Sequence, residues 1–139
     1  MGNAVWLFFA LPDWYFSTIL APFSAGVLTV VPAVGIVGLV VGTVWGAAKR
    51  RRALLIFLVL PAASQALVAV AGIMRGDLRN HESEVILWTF LVLQAVAAGY
   101  FVFRLNGARL PASALAVFAL SYAFFASFVA SMAFSDVWL

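Results

Sequence analysis

Four stretches of this chain run for 19 to 35 residues without a single charged side chain. Nothing constrains the fold more, because a helix of about 20 apolar residues crosses the roughly 30 Å hydrocarbon core of a bilayer. Residues 53–74 lie between Arg52 and Arg75, residues 85–103 between Glu84 and Arg104, and residues 112–135 between Arg109 and Asp136. Each reads as one membrane span. The composition agrees: 66% of the 139 residues are hydrophobic and 9% are charged, against roughly a quarter charged in a soluble domain. A soluble chain of this size exposes too much surface to hide so much apolar area.

The longest charge-free run, residues 14–48, would extend about 52 Å as a helix at ~1.5 Å per residue. That is too long for one crossing. The division expected is a span over about 23–48, with residues 4–22 as an interfacial or re-entrant segment interrupted by Pro12 and Asp13. An Asp at the bilayer centre costs roughly 2.5–3.5 kcal/mol, which disfavours a fifth span there. The expected fold is therefore an all-α membrane bundle of four spans, forming one domain over residues 1–139.

The few charges set the orientation. Lys49, Arg50, Arg51 and Arg52 fill the first connection, and Arg104 and Arg109 flank the third. Both connections are cytoplasmic in a four-span chain with its two ends outside. The second connection carries Arg75 and Arg79 against Asp77, Glu82 and Glu84, and Asp13 and Asp136 lie near the ends. Every acid is then outside, an arrangement suited to a bacterial inner membrane. Trp6, Trp14, Tyr15, Trp88 and Trp138 are expected at the outer interface and Trp45 at the inner one, the levels amphipathic rings favour. No basic leader precedes the first apolar run, so a cleaved signal peptide is not expected.

Small residues mark packing faces. Gly38, Gly42 and Gly46 recur every four residues in the first span, and Ala119, Ala123 and Ser127 do so in the last. Without large side chains, such faces let two helices approach closely in lipid. They suit packing within the bundle or a seam with a second copy or another membrane protein. Phe118, Phe124, Phe125 and Phe128 fill much of the rest of the last span and are expected toward lipid.

Counting from the basic ends at ~1.5 Å per residue places Gln65, Gln94 and Ser121 near mid-depth, with Tyr122 adjoining. A buried amide needs a partner, so the two glutamines are expected to bond each other, Ser121 or Tyr122. The layer suits either polar glue between helices or the lining of a path for an uncharged solute. Pro32 and Pro61 fall inside spans and are expected to bend them, whereas Pro111 suits a first helical turn.

Much chemistry is excluded. The sequence has no cysteine, one lysine (Lys49) and one histidine (His81). Thiolate metal sites, a Schiff base within the bundle and bis-histidine haem ligation by one chain all fall away. No catalytic residue, metal or cofactor is expected. Eight bases divided among three connections do not build a nucleic-acid surface, and Lys49 to Arg52 are read instead as contacts for lipid head groups. The function expected is that of a small non-catalytic membrane protein working through helix packing, as a homo-oligomer or as an accessory subunit. Two alternatives are an oligomeric channel or transporter lined by the mid-depth polar residues, and a lipid- or quinone-modifying enzyme using Arg75, Arg79, His81 and Glu82.

Overall fold

The computed structural model describes residues 2–20, 27–45, 54–74, 80–105 and 107–135, and within them every element is helical. Five α-helices follow in order: α1 Gly2–Leu20, α2 Val27–Trp45, α3 Val59–Ile73, α4 Asn80–Arg104 and α5 Arg109–Phe134. Three segments, Leu55–Ile73, His81–Arg104 and Arg109–Phe134, are long and apolar enough to cross a membrane.

A 3₁₀ turn, Leu55–Leu58, leads into α3. Its cause is Pro61, which offers no N–H to the carbonyl four residues back and crowds it with its ring. The ladder upstream tightens to the shorter i→i+3 pattern, and the Val59 N–H bonds Ile56 O.

α5 is the central helix. It packs against α1, α2, α3 and α4, and 61% of its most apolar window is buried, against 17% for α4. Its sequence allows this, because Ala116, Ala119, Ala123, Ala126, Ala130 and Ala133 are all buried and admit neighbours on several sides. Two clusters fill the core. Leu54, Phe57, Leu60, Ala98, Ala112 and Leu115 pack at the Arg109 end. Val68, Ala71, Leu87, Phe125, Val129 and Phe134 pack at the Phe134 end. These memberships make α3 parallel to α5 and α4 antiparallel to it. Phe124 and Phe128 lie exposed on the bundle surface, whereas Phe125 is buried. The expectation of an all-lipid phenylalanine face fails at Phe125 and in part at half-buried Phe118, since Tyr15 of α1 packs against both rings.

α1 departs most from the sequence reading. The helix runs unbroken through Pro12, and Asp13 stays exposed. Leu7, Leu11 and Tyr15, spaced i, i+4, i+8, are each at most 1% exposed. They join the cluster at the Phe134 end, and this burial offsets the single hydrogen bond that Pro12 removes. The described part of that segment, residues 4–20, is thus not a surface segment alone, because one face of α1 is built into the bundle.

Candidate functional site

Of the polar residues expected near mid-depth, Ser121 and Tyr122 assemble around Tyr15 rather than around the glutamines. The Tyr15 hydroxyl sits in hydrogen-bond contact with Ser121 Oγ, with Pro32 O also within reach at 3.5 Å. Ser121 Oγ in turn reaches Phe118 O at 3.1 Å. The Tyr15 ring meets Tyr122 edge-on at 4.9 Å between centroids and Phe125 at 5.6 Å. Tyr15 is therefore no interfacial anchor. A tyrosine whose hydroxyl finds partners inside is free to bury its whole ring.

Gly35 explains why this site exists. A Cβ there would overlap both Ser121 Oγ and the Tyr15 hydroxyl. Sequence reading singled out Gly38, Gly42 and Gly46 but passed over Gly35, although i, i+3, i+7 spacing puts Gly35, Gly38 and Gly42 on one face. That face is seated on α5. A Cβ on Gly38 would lie 2.5 Å from Ala114 O, and one on Gly42 would lie 2.6 Å from Leu115 Cγ and 3.0 Å from Pro111 O. Gly46 lies outside the described residues.

The glutamines part company. Gln65 Nε2 donates to the Tyr122 hydroxyl, as one of the expected pairings. Gln94 Nε2 donates instead to Leu60 O at 3.2 Å, a carbonyl that also accepts from Ser64 Oγ at 3.1 Å. Equal depth did not make Gln94 a partner of Gln65, Ser121 or Tyr122, because its helix presents it to α3 at a different angle around the bundle. Three buried atoms have no hydrogen-bond partner among the described residues: Gln65 Oε1, Gln94 Oε1 and Ser127 Oγ.

Ala119, Ala123 and Ser127 are all buried, whereas Ser131, the next residue on that stripe, is exposed. Two grooves follow the α4/α5 seam. One, at the Arg109 end, encloses about 500 Å³ between Ala95, Ala98, Gly99, Val102 and Phe103 of α4 and Arg109, Ser113, Ala116, Val117 and Leu120 of α5. Among the described residues, nothing beyond the helix's own backbone lies within 4 Å of a Cβ built on Gly99. The other, at the Phe134 end, encloses about 230 Å³ and is lined by Glu84, Leu87, Trp88, Leu91, Phe124, Ser127, Phe128 and Ser131.

The side chains considered for interfacial catalysis do not converge on a described site. His81 and Glu82 are exposed, and Arg75 and Arg79 lie outside the described residues. So do Lys49, Arg50, Arg51 and Arg52, the expected head-group contacts, together with Asp77, Asp136 and Trp138. No protein-family model, curated protein or solved structure matches this chain.

Proposed function

We propose that the chain is a small, non-catalytic, four-span protein of a bacterial inner membrane that works through the helix faces it presents, as a homo-oligomer or as an accessory subunit. Residues 2 and 135 lie on the outer side in this reading. The Gly42–Pro111 approach supports that orientation, since it brings the end of α2 that leads to Lys49–Arg52 beside Arg109. In this reading six of the eight bases belong to connections on the cytoplasmic side, as the bias of Lys and Arg requires.

The observation that carries the reading is the open groove at Gly99 on the least buried of the spans. The glycine face of α2 is filled from within the same chain, so it has little left to offer a partner. Ala95 and Gly99 of α4, beside Ser113 and Ala116 of α5, form a small-residue surface that a second helix can approach closely. In lipid such surfaces associate through packing and weak backbone contacts, often at a crossing angle of about −40°.

The test uses the absence of native cysteine. A single Gly99→Cys chain, its thiol carrying a photoactivatable cross-linker, should on illumination in its native membrane cross-link to a second copy or to one defined protein. Gly99→Leu, which fills the groove, should weaken that association at least about tenfold, the effect of 1.4 kcal/mol. A Gly99→Cys chain that forms no adduct, or an assembly indifferent to Gly99→Leu, defeats the proposal.

Passage of an uncharged solute is the second reading, supported by the unpartnered amide oxygens of Gln65 and Gln94. Solute flux into liposomes that falls with Gln94→Leu would favour it, and equal flux would remove Gln94 from any path.

A further inference from the structure

We propose that Asp13 is the docking point for a transmembrane helix of a different membrane protein, one that carries a lysine or arginine near mid-depth. The claim rests on the membrane setting of the proposed function, and it selects the accessory subunit over the homo-oligomer.

The starting point is depth. The Tyr15 ring sits among Phe118, Tyr122 and Phe125 of α5, around the middle of Arg109–Phe134. Leu7 and Leu11 join the cluster at the Phe134 end, so α1 runs toward that end from Tyr15 back to its start. Asp13 lies two residues from Tyr15 in that direction, about 3 Å along the axis at ~1.5 Å per residue. By the same rise each end of α5 lies about 18 Å from Tyr122. Asp13 is thus deep in the hydrocarbon. Its side chain is too short to reach the head groups as a lysine or arginine stem does.

α1 has two faces. Leu7, Leu11 and Tyr15 are buried. Asp13 is exposed on the opposite face, flanked at i−4 and i+3 by exposed Phe9 and Phe16. That face turns away from the bundle and toward lipid. Ionisable side chains inside a membrane almost always face a cavity or pair with a complementary group, and Asp13 faces no cavity of this chain. Arg104 and Arg109 are the only bases among the described residues, about 20 Å of helix rise from the Tyr122 level.

Charge identifies the partner. A carboxylate is an acceptor with a negative charge, and its strongest complement is a basic side chain. A second copy of this chain has none to give, because all eight bases lie outside the apolar runs. Its own α1 would bring only a like charge. A metal ion needs more ligands than one exposed carboxylate, and no group of three candidate ligands exists among the described residues. What remains is a span of another protein whose base lies at the level of Asp13, with Phe9 and Phe16 packing to either side.

The experiment places the full chain, donor-labelled through a single Ser135→Cys, in phosphatidylcholine vesicles. The probes are two acceptor-labelled synthetic helices of leucine and alanine, identical except for a central lysine or a central leucine, and energy transfer reads their binding. Wild type should bind the lysine helix at least about tenfold more tightly than the leucine helix, as a hydrogen bond to a charged group allows. Asp13→Asn, close in shape and without charge, should bring that ratio close to one, whereas Asp13→Glu should keep it well above one. Asp13→Lys should reverse the preference toward a helix with a central aspartate. Because Asp13 is exposed, these variants leave the buried face of α1 intact. Equal binding of both helices by wild type, or an Asp13→Asn chain that behaves as wild type, overturns the proposal. Self-association that depends on Asp13, without preference for the lysine helix, overturns it in favour of a second copy. Gly99→Leu should leave the lysine preference unaltered, so this claim and the assembly claim at Gly99 fail separately.

Discussion

Gly38 and Gly99 are both helical glycines, yet the structure gives them opposite responses to one added methyl. At Gly38 the new Cβ would sit 2.5 Å from Ala114 O and 3.2 Å from Phe118 N. Both are backbone atoms of the central helix, so no side chain can rotate out of the way. α2 must retreat by about 0.5 Å to reach even a 3.0 Å approach. The retreat also loosens the contacts of Gly35 and Gly42 on the same face. Overpacking of this kind costs about 1–3 kcal/mol, and Ala returns roughly 0.5–1 kcal/mol over Gly in a helix. The net for Gly38→Ala is a loss centred near about 1 kcal/mol and reaching about 2.5 kcal/mol, or roughly a 5-fold shift of the unfolding equilibrium at the centre of that range. At Gly99 the new Cβ meets none of the described neighbours within 4 Å, so only the propensity gain remains and Gly99→Ala is neutral or stabilising by up to ~1 kcal/mol. Unfolding in mixed micelles with increasing dodecyl sulfate, followed by helicity, measures both. Equal stabilities, or a Gly99→Ala chain weaker than Gly38→Ala, would refute the seating of α2 on α5.

Other outcomes follow from the polar layer and from α1. Tyr15→Phe removes the hydroxyl from Ser121 and Pro32 O but leaves Ser121 its bond to Phe118 O. The loss should be about 0.6–1.7 kcal/mol, the range for interhelical hydrogen bonds in a membrane, in the same micelle titration. Gln94→Leu removes one donor bond to Leu60 O and also the unpartnered Oε1. Its stability should stay within about 1 kcal/mol of wild type, whereas Gln94→Ala should cost more by opening a cavity. Leu11→Ala in α1 should cost about 2–5 kcal/mol, as for other fully buried leucines. A segment lying only in the interface would predict almost no effect in that titration.

The sequence revealed different parts of this architecture to different depths. α3, α4 and α5 were legible because charges bound each apolar run and the bilayer sets the length between them. α1 was hidden because Pro12 and Asp13 look like breaks. The Leu7, Leu11, Tyr15 face was the available signal, and its burial outweighs one missing backbone bond. Counting along the helices from the basic ends put Gln65, Ser121 and Tyr122 at one level, and Gln65 does bond the Tyr122 hydroxyl. Rotation about each helix axis could not be counted, so Gln94 and Tyr15 were given the wrong company. The glycines told of close packing, but only the fold shows that Gly35, Gly38 and Gly42 meet α5 whereas Gly99 meets open space. Both α4/α5 grooves were illegible, since each draws residues from two helices whose register no local pattern specifies.

The most direct test of the four-span account is the side of the membrane on which residue 3 lies. The α1 face made by Leu7, Leu11 and Tyr15 belongs to the cluster at the Phe134 end, so Asn3 should share a side with Ser135 and oppose Gly107. Single-cysteine chains Asn3→Cys, Ser135→Cys and Gly107→Cys, in a background free of native thiols, can be labelled in intact cells with a membrane-impermeant maleimide. The account predicts labelling of Asn3→Cys and Ser135→Cys before permeabilisation and of Gly107→Cys only after it. Asn3→Cys that labels only together with Gly107→Cys would make α1 a fifth crossing and contradict the four-span bundle.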